Sequence, residues 1–269
     1  MKLAGVIGWP VAHSLSPRLH THWLHNCGVD GAYIPLAVRR EDFSRAIDAL
    51  AHAGFRGSSV TLPHKEAAFA LAHSLDRDAA SAGAVNQLVF RDNKIHGMNT
   101  DIAGLVESLR AAKVDVSGRP AVLIGAGGAA RAALVALRQM GAGEIWVLNR
   151  TPERARALGG DKSGGLEDWK QAAKDAALVV NASTAGMKNH APLPLDLDVL
   201  PALSVVCDLV YNPLETALLA KARARGLGTV DGLGMLIYQA VPAFEAFFGA
   251  RPKVTPAVRK ELEDALAHD

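Results

Sequence analysis

One stretch limits what this chain can fold into more than any other: Val122-Leu123-Ile124-Gly125-Ala126-Gly127-Gly128-Ala129-Ala130-Arg131. Aliphatic residues suited to a buried strand run into a glycine-rich turn, and small helix-forming residues follow. A strand that turns sharply into a helix leaves the helix's first N–H groups unpaired and its positive dipole end open, an arrangement suited to phosphate. In that reading Gly125 permits the tight turn and Gly127 lets backbone approach a pyrophosphate. Ala126, Gly128 and Ala129 complete the turn, and Ala130 is the small residue where helix packs on strand. Glycine-rich loops are common in α/β proteins, so the turn alone is a weak signal. The strand before it, the helix after it and a second apolar strand over 144–148 favour dinucleotide binding.

The end of that second strand bears on which dinucleotide. An acid roughly 20 residues past the turn would bond a ribose 2′-hydroxyl. Here the chain reads Asn149-Arg150-Thr151, with Arg154 one turn on. A guanidinium pairs with a 2′-phosphate, which an aspartate would repel, so the expectation is NADP(H). The competing reading leaves both arginines as solvated surface.

Strand-like and helix-like segments alternate along the rest of the chain. Strands are expected over 3–7, 33–36, 58–60, 85–90, 94–98, 121–124, 144–148, 177–182, 204–210 and 229–230. Helices are expected over 16–27, 41–53, 101–113, 129–140, 216–225 and 235–248, with a short charged one from Thr255-Pro256. Arg91-Asp92-Asn93 reads as a hairpin turn, and a polar stretch over 114–120 marks a candidate domain start. The alternation implies a parallel sheet covered by helices. The chain has 269 residues, enough for two domains at roughly 100–200 residues each.

Composition narrows the function classes. A formal net charge of +2 with 21% charged residues argues against a nucleic-acid binder that works through a basic surface. No run approaches the roughly 18 apolar residues of a membrane helix. The N-terminus, broken by Gly5, Gly8 and Pro10, resembles a first strand more than a signal peptide. Cys27 and Cys207 stand far apart in no CxxC, so neither a disulfide framework nor a thiolate metal site is expected, and a cytoplasmic setting fits. His20, His22 and His25 have no ordered carboxylate beside them, and on a helix His20 and His22 diverge. They are read as surface or satisfied residues, and no metal is expected.

Three polar clusters lie in or beside loops. In His13-Ser14-Leu15-Ser16-Pro17 two hydroxyls at a helix start suit a carboxylate, although Ser16 as a plain N-cap is the simpler reading. In Ser59-Val60-Thr61-Leu62-Pro63-His64-Lys65, a lysine at a helix start opposes the dipole and wants a further explanation. Asn86, after Gly83-Ala84-Val85, precedes the hairpin, and Asn99-Thr100-Asp101 follows it. Asp101 alone reads as a helix cap.

Taken in order these pieces resemble the shikimate dehydrogenase family over nearly the whole chain. The matching motifs are Gly8 to Pro17, 60–65, 83–86, 99–101, 125–131, 149–151, Asp208 to Thr216 and Asp231 to Ala240. The resemblance implies an N-terminal α/β substrate domain over 1–101, completed by C-terminal helices over 236–269. It also implies a Rossmann-type NADP domain over 102–235, with the active site in the cleft between the two. It implies reversible NADPH-dependent reduction of 3-dehydroshikimate to shikimate, in the route to chorismate and the aromatic amino acids. Ser14, Ser16 and Tyr211 would hold the substrate carboxylate. Thr61, Lys65, Asn86, Asp101 and Gln239 would bind the ring hydroxyls. Leu209, Gly232 and Met235 would lie near the nicotinamide. Lys65 and Asp101 would be catalytic, and which of them transfers the proton stays open. Small molecules are the expected partners, with neither nucleic acid nor membrane, and the chain is expected as a monomer or homodimer.

The chain departs from the family's usual residues at Ser59 (usually Asn), Gln87 (usually Thr) and Ser183 (usually Thr). These changes bear on substrate preference more than on reaction class. A quinate-preferring or NAD-using relative is the nearest alternative, with Arg150 and Ser16 speaking against it. A non-catalytic dinucleotide-binding regulator is another, against which stands the presence of both Lys65 and Asp101.

Overall fold

A computed structural model describes residues 1–268, so the last position of the expected 236–269 segment lies outside the described residues. The chain divides into two compact units. The first comprises Met1–Asp101 and Leu236–Ala265, and the second is principally Ile102–Met235.

In the first unit the strands are β1 (Lys2–Gly8), β2 (Gly31–Ala37), β3 (Gly57–Val60), β4 (Ser74–Leu75), β5 (Gln87–Arg91) and β6 (Lys94–Met98). They form one sheet in the order β2-β1-β3-β5-β6-β4. β1 pairs in parallel with β2 and β3, whereas β5 runs antiparallel to both β3 and β6. The mixed sheet is the work of the expected hairpin, whose turn residues Asp92 and Asn93 take φ of 53° and 56°, the left-handed pair that two-residue hairpins need. Helices α1 (Ser16–Asn26), α2 (Phe43–His52), α3 (Lys65–Leu71) and α4 (Arg77–Ala82) belong to this unit. Ile7, Ile47, Val60 and Leu88 pack with Phe43 and Val85 in one apolar cluster. A fully buried aliphatic side chain of this kind stabilises by about 1.5–3 kcal/mol.

The second unit holds β7 (Ala121–Ile124), β8 (Ile145–Leu148), β9 (Lys162–Gly164), β10 (Leu178–Asn181), β11 (Val205–Asp208) and β12 (Gly228–Val230), in the order β12-β11-β10-β7-β8-β9. Every pairing is parallel. The four residues of β7, of β8 and of β10 are all buried, and all but Asn181 are apolar, the signature of strands covered on both faces. Its helices are α6 (Gly128–Gln139), α7 (Pro152–Leu158), α8 (Trp169–Ala173) and α9 (Ala217–Ala224). Three more cross the division in sequence, α5 (Asp101–Ala111), α10 (Gly232–Phe248) and the end of α11 (Pro256–Ala267).

The α/β class with a parallel second sheet agrees with the expectation. α4, α7, α8, β4 and β9 are additions to the elements expected from sequence, all of them seven residues or fewer. Two carried signals in plain view. Asp76 caps α4 by accepting from the Ala79 N–H, and Gly83 ends it at φ 61°. Pro152 opens α7 and Gly159 closes it at φ 84°. These are the start and stop residues of any short helix.

Candidate functional site

In the first unit the polar clusters meet at one sheet edge. β1 and β3 are parallel neighbours, so the loops leaving them, with Ser14 and Ser16 on one and Thr61 and Lys65 on the other, emerge on the same side. β5 is antiparallel to β3 and therefore starts where β3 ends: the Val60 N–H donates to the Asn86 carbonyl at 2.7 Å. The hairpin then returns β6 to that edge, where the Asn86 N–H meets the Met98 carbonyl at 3.1 Å. Segments distant in sequence thus deliver Ser14, Ser16, Thr61, Lys65, Asn86 and Asp101 to the carboxyl ends of β1, β3 and β6, the usual location of ligand sites in α/β sheets.

The side chains there form a connected network. Asn86 Nδ2 donates to Asp101 Oδ1 at 2.9 Å and to Thr100 Oγ1 at 3.0 Å, and Asn86 Oδ1 accepts the Thr100 N–H at 2.8 Å. Lys65 Nζ donates to Asp101 Oδ2, an ion pair whose side chains keep 14% and 8% exposure. That pair accounts for a lysine at the first position of α3: the nearby carboxylate outweighs the unfavourable helix dipole. Asp101 opens α5, yet its carboxylate is committed to Lys65 and Asn86 rather than to a cap. Gln239, on α10, joins through its Oε1, which lies 3.2 Å from Gln87 Nε2 and 3.3 Å from Thr100 Oγ1. Thr100 and Gln87 are members that the residue types alone gave no reason to select.

Ser16 is not an N-cap. The capping position of α1 is Leu15, already in a helical conformation and without a side-chain cap, and Ser16 is the buried first residue of the helix. Its N–H donates to Ser14 Oγ at 3.3 Å, so the Ser14 hydroxyl acts there as an acceptor and its own proton is not used in that bond. Thr61 packs its methyl so close to Gly8 that a Cβ there would sit 2.5 Å away, fixing one loop against the other.

The histidines sort differently from one another. His22 lies beside Glu261 at 2.5 Å. His20, read from sequence as surface or satisfied, is 1% exposed and stacked on Tyr33 at 3.8 Å, with its Nδ1 unpartnered. Burial lowers its pKa to about 3. Tyr33 in turn donates to Ser59 Oγ at 2.6 Å. His64 is buried against Phe43, with Nε2 at the Val38 carbonyl, and burial lowers its pKa.

In the second unit the glycine turn has the geometry the sequence implied. Gly125 adopts φ +119°, and a Cβ there would strike the Ala182 backbone at 2.9 Å, so only glycine fits. At Gly127, the capping position of α6, a Cβ would meet nothing within 4 Å. No side chain caps the helix, so its first N–H groups, beginning at Gly128 and Ala129, have no capping side chain as acceptor. A pyrophosphate fits this cradle. Asn149 donates from Nδ2 to the Thr151 carbonyl at 2.9 Å, bracing the turn after β8. Arg150 and Arg154 are exposed and make no ion pair among the described residues. Gly232 has a packing reason of its own, because a Cβ would lie 2.3 Å from the Leu209 carbonyl oxygen. Leu209 and Tyr211 are half-buried and Met235 is buried.

A second buried polar cluster, not anticipated from sequence, fixes the loop that carries Leu209 and Tyr211. Asp208 accepts from Asn181 Nδ2 at 2.8 Å, from the Thr216 hydroxyl at 2.7 Å and from the Val210 N–H at 3.1 Å. Burial raises its pKa, against the lowering effect of those three donors. Ser183, one of the departures, donates to Asn181 Oδ1 at 2.7 Å.

Comparison with known proteins falls on one family. Sequence models match for the shikimate dehydrogenase substrate binding domain over residues 6–88, shikimate / quinate 5-dehydrogenase over 108–189, and the shikimate 5'-dehydrogenase C-terminal domain over 232–263. The shikimate dehydrogenase (NADP(+)) of Acidiphilium cryptum is 52% identical over 271 residues, covering 100% of this chain and 96% of that protein. Among solved structures, shikimate 5-dehydrogenase from Thermus thermophilus in complex with NADP(H) and shikimate is 37% identical with a TM-score of 0.87, covering 99% and 100% of the two chains. Quinate dehydrogenase from Corynebacterium glutamicum in complex with NAD is 31% identical with a TM-score of 0.88, covering 98% and 99%.

Proposed function

The chain belongs to the shikimate dehydrogenase family, and from that premise we propose that it reduces the ring ketone of 3-dehydroshikimate to shikimate, reversibly, with Lys65 and Asp101 at the reacting oxygen. It is an NADP-dependent oxidoreductase acting on a CH–OH group. Residues 1–101 with 236–269 hold the substrate, and residues 102–235 hold the cofactor.

NADPH, when bound, supplies the hydride that the ketone carbon takes up. Gly125 to Ala129 hold its pyrophosphate, Arg150 and Arg154 its 2′-phosphate with Asn149 and Thr151 beside them, and Leu209, Gly232 and Met235 border the nicotinamide. The remaining chemistry belongs to the first unit. Negative charge develops on the ketone oxygen and needs a proton and a nearby cation. Lys65 Nζ carries three N–H bonds as an ammonium, one of them committed to Asp101 Oδ2, which leaves two to address that oxygen. Asp101, gripped from its other side by Asn86 at 2.9 Å, aims the ammonium and keeps lone pairs for a neighbouring ring hydroxyl. Run backwards, the same pair takes the proton from the alcohol. Ser14, Ser16 and Tyr211 orient the substrate by its carboxylate, and Thr61, Asn86 and Gln239 complete the ring contacts.

The observation that supports this reading best is the Lys65–Asp101–Asn86 arrangement: a cation and an anion, both mostly buried, both keeping some exposure, linked through Asn86 to the start of β5. The test is reduction of NADP⁺ followed spectroscopically with shikimate and quinate side by side, and NAD⁺ as the alternative acceptor. Turnover confined to shikimate with NADP⁺ is expected. Comparable turnover with quinate and NAD⁺ would move the chain to the quinate branch, and none with any pair would overturn the enzymatic reading. No helix among the described residues is long and apolar enough to cross a membrane. The reading includes action on freely diffusing small molecules in the cytoplasm, as a monomer or homodimer.

A further inference from the structure

Gln87 is almost completely buried, at 1% exposure. Its Nε2 donates to Gln239 Oε1 at 3.2 Å and to Thr100 Oγ1 at 3.3 Å, while its Oε1 has no hydrogen-bond partner. A buried amide oxygen without a partner is costly. The amide therefore sits as it does for the sake of its N–H groups.

What those N–H groups hold decides what Gln239 can offer a ligand. Gln239 Oε1 lies within reach of three donors: Gln87 Nε2 at 3.2 Å, Thr100 Oγ1 at 3.3 Å and Asn86 Nδ2 at 3.4 Å. A carbonyl oxygen has two lone pairs, so its accepting capacity is filled. Gln239 Nε2 gives one hydrogen to the Leu236 carbonyl at 2.9 Å, one helical turn back, which opposes a flip of the amide. One N–H is left over. Gln239, 9% exposed, thus faces a ligand as a hydrogen-bond donor only.

We propose that Gln87 is a positioning residue of the substrate site: it clamps the Gln239 carbonyl so that Gln239 presents a single N–H to an oxygen of the substrate ring. The polarity suits a ring hydroxyl, whose oxygen accepts from the Gln239 N–H while its own proton is given to a neighbouring acceptor. Ser59 stands directly opposite Gln87 in register across β3 and β5, and its Oγ is already engaged by Tyr33 at 2.6 Å, so Ser59 and Gln87 are cross-strand neighbours on one face. The proposal rests on the assignment of Gln239 to the substrate.

The test is steady-state kinetics and shikimate titration of Gln87→Glu, which keeps the shape and removes the donor, alone and combined with Gln239→Ala. Gln87→Glu is expected to raise the KM for shikimate about tenfold, the scale of one lost hydrogen bond, with kcat and the KM for NADP⁺ within about twofold, a split that a general loss of structure would not give. In the Gln239→Ala background the same change is expected to do nothing further. Gln87→Met, neutral and of similar length, repeats the experiment without a new buried charge, and its melting temperature reports folding. An unchanged shikimate KM in both Gln87 variants, or effects that add to those of Gln239→Ala, would overturn the proposal. If Gln239→Ala itself leaves the shikimate KM unchanged, the assignment of Gln239 fails first, which is a different outcome.

Discussion

Each unit ends its sheet in a buried cluster of the same three residue types. In the first unit these are Asn86, Thr100 and Asp101, and in the second Asn181, Asp208 and Thr216. In both, the asparagine amide donates to the aspartate, at 2.9 Å and 2.8 Å respectively. They differ in what meets the other carboxylate oxygen. Asp101 Oδ2 takes the Lys65 ammonium, whereas Asp208 Oδ2 takes the Thr216 hydroxyl and no cation among the described residues pairs with it. Asp208 is fully buried, and the Lys65–Asp101 pair is not. A sealed, neutral-donor cluster fastens a loop; the same cluster with an ammonium and an opening can carry out chemistry. Residue type alone does not separate the two.

The contrast is breakable. The largest effect is expected from the cation: Lys65→Ala lowers kcat by about 10²–10⁴ while changing the KM for shikimate far less, because the ammonium acts mainly in the transition state. A raised KM with unchanged kcat would reduce Lys65 to a binding residue. Asp208→Ala, at the equivalent place in the other cluster, is expected to act on stability, costing about 1–3 kcal/mol by orphaning buried donors, measured by urea denaturation. Asp208→Asn is expected to cost much less, since Thr216 Oγ1 can turn to accept. Arg150→Ala is expected to raise the KM for NADP⁺ about tenfold, the loss of one charge-assisted bond, and to leave the weaker binding of the non-phosphorylated cofactor nearly unchanged. Equal loss for both cofactors would reject the 2′-phosphate role.

The most gradual expected effect concerns pH, where burial acts with opposite sign on a base in one unit and an acid in the other. His20 is held neutral, with a pKa of about 3 when folded against 6.5 for the free side chain. Between those values the unfolded chain binds the extra proton, so stability is full above pH 6.5 and falls on acidification, by at most about 1.4 kcal/mol per pH unit. Asp208 has its pKa raised, so above its ordinary value the folded state holds the extra proton and acidification favours folding. Denaturation across this range should show a shallower acid loss for His20→Phe than for the parent and a steeper one for Asp208→Asn.

The glycine turn after β7 is legible in the sequence because it is written in backbone terms: Gly125 is required by its φ of +119° and by the Ala182 backbone, and both causes lie within a few residues or one neighbouring strand. The Asn86–Thr100–Gln239 cluster is written in side chains that find one another across 14 and 153 positions. Nothing local to Thr100 or Gln87 announces a partner, and Gln239 is reached only through resemblance. Ser16 shows the opposite error, where a sound capping rule points to a residue that the backbone, already helical at Leu15, has no need of. His20 shows that a polar residue on an apolar helix face can be buried without being satisfied.

The hairpin of β5 and β6 carries a consequence for how this chain can change length. Its ladder runs from Gln87 opposite Met98 to Arg91 opposite Lys94, with Asn86 at the mouth and Asp92-Asn93 at the tip. One residue added to a single strand slides everything beyond it by about 3.4 Å and reverses which face each side chain meets; Thr100 and Asp101 would miss Asn86. One residue added to each strand moves only the tip. Insertions and deletions in this segment are therefore expected to survive in matched pairs or inside the two-residue turn, and that turn is the place to graft a peptide tag.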